Sequence, residues 1–169
     1  MLYLQKASAQ DGRLVYDMLQ GIQSNDNGFH NNAKDIPYDQ FTGWLQRSVD
    51  ISNGIGLEDW MVPGTSYWLF DDDVPVGFGK LRHFLNDNLR EDGGHIGYAI
   101  AEPHREKGYG NMILRLLLIE AGNMGIKEAH VGTNKDNVKS NKVILRNGGR
   151  LIRESETKNY YVIDLNQVR

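Results

Sequence analysis

Apolar residues change their spacing along the first half of the chain in a way that predicts one strand and two helices. Residues 2–6 alternate as a strand does. Ser8 is a plausible N-cap for the first helix, and Pro37 can open the second, in which apolar residues recur at helical spacing up to Val49. The polar segments between and after these helices, residues 21–36 and 53–63, are predicted to be loops.

The second half of the chain is rich in strand-like segments. A turn at residues 71–73 joins two of them, 67–70 and 74–83, into a predicted hairpin. A polar stretch follows, and then a strand, a helix, a strand, a helix and two closing strands. They are predicted over residues 95–101, 108–124, 128–133, 137–146, 151–154 and 160–165. Gly125 and the pair Gly148-Gly149 are typical of residues that end helices.

This order of elements predicts an α/β protein of the α+β type. Its central sheet is expected to be mixed but mostly antiparallel, with helices on both faces. The strand–helix–strand unit of residues 95–133 is expected to be a parallel crossover. The length of 169 residues suits one domain over 1–169 with one hydrophobic core.

Composition narrows the chemistry more than it narrows the fold. The net charge of −3 argues against a nucleic-acid partner. The chain has no cysteine, which excludes thiolate nucleophiles, disulfides and cysteine-type zinc sites. None of its five histidines has a metal-type spacing, so no metal is predicted. The start of the chain lacks a signal-peptide pattern and the longest apolar segment is short, so we expect a cytoplasmic protein without a membrane partner.

A glycine-bearing turn at residues 105–110, Arg-Glu-Lys-Gly-Tyr-Gly, leads directly into the apolar helix. The first amides of a helix are unpaired and carry the positive end of its dipole, and Gly108 and Gly110 let a ligand approach them. The turn therefore predicts a site for phosphate or pyrophosphate. The alternative is a tight turn that binds nothing. Neither the P-loop pattern nor the dinucleotide-binding pattern is present.

Two motifs together resemble those of the GNAT superfamily of N-acetyltransferases. The first is Arg105-x-x-Gly108-x-Gly110 after the strand-like run HIGYAIAE, and the second is NKDNVKSNKVILRNGG at residues 134–149. The order of elements is also similar to that fold from end to end. The likeness is sharpest over residues 95–149, and the first motif is closest to a bacterial branch of predicted acetyltransferases.

The resemblance implies that the chain uses acetyl-CoA as its cosubstrate. In that family a bulged strand pairs with the pantetheine amides and splays from its neighbour to open a V-shaped slot, and the turn amides hold the pyrophosphate. Asn137 and Ser140 match the start of the second motif, whose Asn commonly contacts the pantetheine arm. The implied cofactor residues are Tyr98, Ala99, Ile100, Arg105, Glu106, Lys107, Gly108, Tyr109, Gly110, Asn137 and Ser140.

The implied reaction is direct attack of a primary amine on the thioester in a ternary complex. His95 is the candidate general base, although a histidine packed at a strand start and bonded to backbone is the alternative. Many relatives carry a tyrosine as general acid where this chain has Ile144. Tyr160, Tyr161 or water could replace it. A catalytically weak or inactive acyl-CoA-binding module, or a transferase for another acyl-CoA, remains an alternative.

The acceptor is predicted to be a small-molecule or peptide amine, and the resemblance makes a homodimer the expected assembly. The acceptor site should lie between the 21–36 loop, the second helix and the last two strands. Aromatic residues lie in or near these walls, where they could be core residues or ligand contacts: Phe29, Tyr38, Trp44, Trp60, Tyr67 and Trp68. Asp35, Glu91 and Asp92 could attract a cationic amine.

Overall fold

The computed structural model describes residues 1–167. Within them the chain forms five α-helices and nine strands, with short 3₁₀ turns at Tyr38–Gln40, Glu102–His104 and Leu165–Gln167. In chain order the elements are β1 (Leu2–Lys6), α1 (Arg13–Gln20), β2 (Asn25–Asp26), β3 (Phe29–His30), α2 (Phe41–Ser52), β4 (Gly64–Asp71), β5 (Val74–Arg82), α3 (Asp87–Glu91), β6 (Ile96–Ile100), α4 (Tyr109–Asn123), β7 (Glu128–Asn134), α5 (Val138–Arg146), β8 (Gly149–Glu154) and β9 (Lys158–Asp164).

The strands form two antiparallel sheets and a separate short hairpin. The larger sheet has the order β1-β4-β5-β6, the smaller one has the order β7-β9-β8, and β2 pairs with β3. The predicted fold class, an antiparallel sheet with helices, is confirmed. The predicted parallel pairing across the crossover is not formed as a ladder in residues 1–167, because β6 and β7 are each an edge of their own sheet.

Helix α4 packs on one face of the larger sheet and joins the two sheets through one core. Ile113 and Leu117 are fully buried there together with residues of β4, β7, α5 and β9. The approach is close because Gly79 stands in β5 beneath the helix. A Cβ at Gly79 would lie 2.9 Å from Leu117 Cδ1. The glycine that interrupts an apolar strand therefore sets the distance between sheet and helix.

Helices α1 and α2 cover the opposite face of the larger sheet. Trp68 of β4 and Phe78 of β5 point to this side and pack edge to face, with ring centroids 5.0 Å apart. Trp44 of α2 stacks on Trp68 at 6.2 Å. Helices therefore lie on both faces of this sheet, as the order of elements predicted.

The start of the first helix was predicted wrongly. Helix α1 begins at Arg13, and Ser8 lies in the turn before it. There the amide of Ser8 donates to a carboxylate oxygen of Asp11 at 2.8 Å, and Trp68 Nε1 donates to the same oxygen at 2.8 Å. The aspartate thus fixes an extended turn onto β4, so the chain cannot turn helical until it has passed Gly12.

One segment predicted as a loop, and the polar stretch to which no element was assigned, contain regular structure. Residues 21–36 include the β2–β3 hairpin, whose turn is Asn27-Gly28 with φ angles of 52° and 93°. Asn-Gly is the preferred pair for such a turn, because both residues tolerate positive φ. The stretch before β6 contains α3, whose N-cap Asn86 accepts a hydrogen bond from the Leu89 amide at 2.9 Å.

Other local predictions are confirmed. Gly125, with φ of 89°, follows the C-cap of α4. Asn137 caps α5, and its Oδ1 accepts a hydrogen bond from the Ser140 amide at 3.2 Å. None of the helices in the described part of the chain combines the length and the hydropathy that crossing a bilayer requires.

We expect Gly94→Ala to destabilise the fold more than Gly54→Ala. Both glycines have positive φ, 67° and 74°, so both variants pay about 1 kcal/mol of backbone strain. At Gly94 the new Cβ would also lie 2.5 Å from the His130 carbonyl oxygen, whereas at Gly54 its nearest neighbour is 3.7 Å away. Overpacking of this kind costs roughly 1–3 kcal/mol more. Chemical denaturation of the two variants measures the difference, and equal stabilities would contradict the tight contact.

Candidate functional site

Hydrogen bonds join the edges of the two sheets where His95 meets His130. The amide of His95 donates to the carbonyl of His130 at 2.8 Å, and the amide of His130 donates to His95 Nδ1 at 2.9 Å. On its other side the carbonyl of His95 accepts from the Arg82 amide of β5 at 2.8 Å. His95 therefore connects β5 to β7 through its backbone and its ring.

Beyond this junction β6 and β7 diverge, and a cleft of about 800 Å³ opens between and beside them. Its walls include Ile96 to Tyr98 of β6 and Val131 to Asn134 of β7. The ladder between β5 and β6 runs through five residue pairs without a shift in register. The divergence therefore begins at His95, and not at a bulge inside β6 as the resemblance implied.

Along β6, the backbone N–H and C=O groups of successive residues point alternately toward β5 and toward the open edge at the cleft. Ala99 and Ala101 lie on the paired side, where the Ala101 amide donates to a β5 carbonyl at 2.9 Å. The backbone groups of Tyr98 and Ile100 consequently face the open edge. The Ile100 carbonyl already accepts a hydrogen bond from Arg105 Nε at 3.1 Å. Of the three strand residues predicted to pair with pantetheine, Tyr98 is the best placed, and Ala99 faces the wrong way.

The surroundings of His95 do not suit a general base. Its side chain is 7% exposed, and Nδ1 accepts a hydrogen bond, which leaves the ring proton on Nε2. Burial, followed by the nearby ring of His130, lowers the pKa of His95 to about 4. The neutral ring therefore fixes the junction between the sheets, which is the alternative that the sequence left open.

The turn before α4 has the form that an anion site requires. Gly108 is the N-cap in the left-handed conformation, with φ of 84°, and no side chain caps the helix. A Cβ at Gly108 would meet no atom within 4 Å, and one at Gly110 would meet only Tyr98, at 4.0 Å. The first amides of α4 are thus approachable from outside, at the positive end of a 15-residue helix.

Charged side chains around this turn are partly engaged by the protein itself. Arg105 donates to Ile100 and, through Nη2, to Asp26 of β2 at 2.8 Å. Glu106 pairs with Lys139 of α5 at 2.8 Å, whereas Lys107 is exposed. Arg105 therefore organises the turn, and the backbone amides together with Lys107 are the groups that it leaves open to the outside.

The second motif faces the same cleft from α5. Asn137 and Ser140 line it, and the Tyr98 hydroxyl lies 3.3 Å from Ser140 Oγ. Ile144, which stands where many relatives carry a tyrosine as general acid, is fully buried in the core. A side chain at this position therefore does not reach the cleft. The Tyr161 hydroxyl donates to Asn141 Oδ1 at 2.6 Å, and Tyr160 donates to Asp92 at 3.3 Å.

The opposite end of the cleft is lined by residues of the predicted acceptor walls. Phe29, Trp44 and Trp60 are among them, whereas Tyr67 and Trp68 are core residues. Asp92 is the one predicted carboxylate that lines the described cleft, and its ion pair with Lys158 at 2.9 Å lowers its pKa.

Among the cleft residues that sequence reasoning missed are Asp26, Lys80 and Arg82. The Asn27-Gly28 pair could have identified the hairpin that carries Asp26. Period-two alternation along β5 could have placed Lys80 and Arg82 on the same face as Phe78. Within residues 1–167 no three His, Asp or Glu side chains form a group that could hold a metal ion.

Comparison with protein families gives the assignment. Residues 2–150 match the family model described as "Acetyltransferase (GNAT) domain". The chain belongs to the GNAT acetyltransferase family. No curated protein is similar enough in sequence to match this GNAT chain.

Solved structures of GNAT acetyltransferases share the fold of the chain at low sequence identity. The GNAT domain of Streptomyces lividans PAT ("S. lividans PAT") is 12% identical with a TM-score of 0.65, over 95% of this chain and 89% of that one. The yncA protein of Salmonella typhimurium, solved with acetyl-CoA, is 13% identical with a TM-score of 0.61, over 98% and 95%. RimL, a ribosomal L7/L12 alpha-N-protein acetyltransferase solved with CoA, is 16% identical with a TM-score of 0.70, over 96% and 93%.

We expect the His95 junction to make the stability of this GNAT chain sensitive to acid. The pKa of His95 is about 4 in the fold against 6.5 for an ordinary histidine. Between these values the unfolded chain binds more protons, so stability is complete above pH 6.5 and falls as pH drops toward 4. The loss attributable to His95 is up to roughly 3 kcal/mol.

Denaturation between pH 7.5 and 4.5 checks this for the wild type and for His95→Asn, whose amide oxygen can still accept from the His130 amide. The variant should lose less stability over this range. Parallel curves for the two proteins would show that His95 does not carry the effect.

Proposed function

We propose that the chain is an N-acetyltransferase that transfers an acetyl group from acetyl-CoA to a primary amine in a ternary complex. The observation that carries the proposal is the continuity of two features. The cleft between the diverging strands β6 and β7 is lined by Tyr98 and Ser140, and Tyr98 also lies beside Gly110 of the open turn before α4. Family membership supports the acyl transfer, and the cleft supports binding of two substrates side by side.

The residues around the cleft fit acetyl-CoA as a substrate. The approachable amides at Gly108 to Gly110 suit a diphosphate, and the open β6 edge at Tyr98 suits an extended chain of amides. Asn137 and Ser140 face this edge from α5. Acetyl-CoA would supply the activated acetyl group, and the aromatic end of the cleft would hold the amine.

Direct attack by the amine suits this chain because it contains no cysteine that could form an acyl-enzyme. Tyr98 is the hydroxyl of the cleft that can replace the tyrosine missing at Ile144. Burial raises the pKa of Tyr98, partly offset by the hydrogen bond with Ser140, so the phenol stays neutral at pH 7. A neutral phenol can donate a hydrogen bond to the departing thiolate and so stabilise it.

An acyl-CoA-binding module without turnover is the competing function, and the burial of Ile144 is the observation that favours it. Release of free CoA thiol in the presence of a panel of amines separates the two. Binding of acetyl-CoA without thiol release, for every amine tested, would replace the transferase with the binding module.

We expect Gly108→Glu to abolish acetyl-CoA binding while the fold is retained. A carboxylate at the open N-terminus of α4 would occupy the position of the diphosphate and repel it, raising the Kd at least about a hundredfold. Calorimetric titration with acetyl-CoA measures the change.

The matched control is Gly125→Glu at the other end of the same helix. Gly125 also has a positive φ, 89°, and a Cβ there would also meet no atom within 4 Å. Both variants therefore bear similar backbone strain, and the control should bind as the wild type does. Wild-type affinity in Gly108→Glu would show that the diphosphate binds elsewhere.

We expect Tyr98→Phe to lower kcat about ten- to a hundredfold, because the hydrogen-bond donor to the leaving thiolate is lost. The Kd for acetyl-CoA should change little, since the backbone of residue 98 still lines the strand edge. Thiol release at saturating acetyl-CoA measures kcat. Tyr3→Phe on β1, where the ring stacks on Phe70, is the control for loss of a phenol remote from the cleft. An unchanged kcat in Tyr98→Phe would show that Tyr98 is not the donor to the leaving thiolate and that water takes this role.

A further inference from the structure

The acceptor end of the cleft contains two cations on one strand face. Lys80 and Arg82 alternate with Phe78 along β5, on the side of the sheet that α1 and α2 cover, and all three line the cleft. Side chains two residues apart on a strand stand about 7 Å from each other. Both side chains therefore project from one strand face into the cleft, and the charge of Arg82 is near enough to lower the pKa of Lys80.

The surroundings of Lys80 are apolar rings and a carbonyl. Its ammonium lies 4.8 Å from the ring centroid of Phe29 and 5.2 Å from that of Phe78, and it donates to the His30 carbonyl at 2.5 Å. Burial, and then the charge of Arg82, lowers the pKa of Lys80 to about 8. At pH 7 the group is still mainly protonated, but it has lost much of its hydration.

Arg82 is also half-buried. Its Nη1 donates to the Gly94 carbonyl at 2.9 Å, and burial lowers its pKa. The negative charge of Asp92 acts on Arg82 only from a distance, and it shifts the pKa of Arg82 in the opposite direction, upward. Neither Arg82 nor Lys80 thus has a contact carboxylate among the described residues.

The carboxylates that line the cleft are already used by other cations. Asp26 pairs with Arg105 at 2.8 Å, and Asp92 pairs with Lys158 at 2.9 Å. Carbonyl and ring contacts replace the hydration that the half-buried Lys80 and Arg82 have lost only in part, and the two like charges repel. A ligand anion is the partner that would complete this arrangement.

We propose that the acceptor amine carries an anionic group, a carboxylate or a phosphate, that binds between Lys80 and Arg82. The inference rests on the proposed function, because it assigns the acceptor class of that same cleft. It adds an anionic group to the cationic amine that, from the sequence, Asp35, Glu91 and Asp92 could attract. Phe29, Trp44 and Trp60 would surround the uncharged part of the acceptor.

The test uses pairs of amines that differ only in the anion. β-Alanine is compared with β-alanine amide, and O-phosphoethanolamine with ethanolamine. Each is titrated into the protein saturated with CoA, and binding is followed by calorimetry and by the fluorescence of Trp44 and Trp60. The anionic member of at least one pair should bind at least about tenfold more tightly than its neutral counterpart. Tighter binding of the anionic member of the first pair identifies a carboxylate as the group that the acceptor carries. Tighter binding of the anionic member of the second pair identifies a phosphate.

Two variants test the residues. Lys80→Met and Arg82→Met keep most of the side-chain volume and remove the charge, and each should weaken the anionic probe at least about tenfold while leaving CoA binding unchanged. Arg150→Gln on β8, exposed and outside the described cleft, is the control and should bind the probe as the wild type does. Melting temperatures of all variants establish that they are folded.

The outcomes separate this inference from the proposed function. If the wild-type protein does not bind CoA or acetyl-CoA, the proposed function fails. If CoA binds but the paired probes bind equally, or no anionic probe binds below about 10 mM, the inference alone is overturned. Wild-type probe affinity in both Lys80→Met and Arg82→Met also overturns it.

Discussion

The cleft of this protein depends on the hydrogen bonds between His95 and His130. They join the edges of two antiparallel sheets just before β6, and beyond this junction β6 and β7 diverge. If β6 were hydrogen-bonded to β7 along its whole length, the cleft would be closed. If the chain at His95 had no hydrogen bond to β7, the width of the cleft would not be fixed. The buried, neutral ring of His95 makes the junction rigid, and Gly94 admits the backbone of the neighbouring strand.

Two positive features that are built differently lie in and beside the cleft. One is the backbone at the start of α4, whose uncapped amides lie next to Tyr98. The other is the pair of side chains Lys80 and Arg82, which line the cleft. The cleft carboxylates Asp26 and Asp92 are held by cations of their own, so they do little to offset either feature. In a chain with a net charge of −3, the binding cleft is thus a locally positive region.

The features that could be predicted from the sequence are those decided by neighbouring residues. Gly108 at the start of α4 and Asn137 as the cap of α5 follow from short-range chemistry, and both were placed correctly. The failures arose where a distant residue decides the outcome. Ser8 does not cap a helix because Asp11 is bound by Trp68, 57 positions away in the sequence.

The role of His95 illustrates the same limit within the site. Its position at a strand start was evident from the sequence, but its proton and its burial depend on His130, 35 residues further along the chain. The Tyr98–Ser140 contact likewise joins residues 42 positions apart. Their partners are set by the packing of α4 and α5, which periodicity predicts as helices without specifying what each face meets.

The ion pair between Arg105 and Asp26 has a consequence for how the two substrates influence each other. It links the turn before α4 to the β2–β3 hairpin, which forms part of the far wall. The hairpin is short and its ion pair with the turn is partly exposed, so little holds it in place. Equilibrium coupling is reciprocal. If binding of one substrate changes the affinity for the other through this ion pair, the second substrate changes the affinity for the first by the same factor. The order of binding therefore changes the kinetics but not the total free energy of binding.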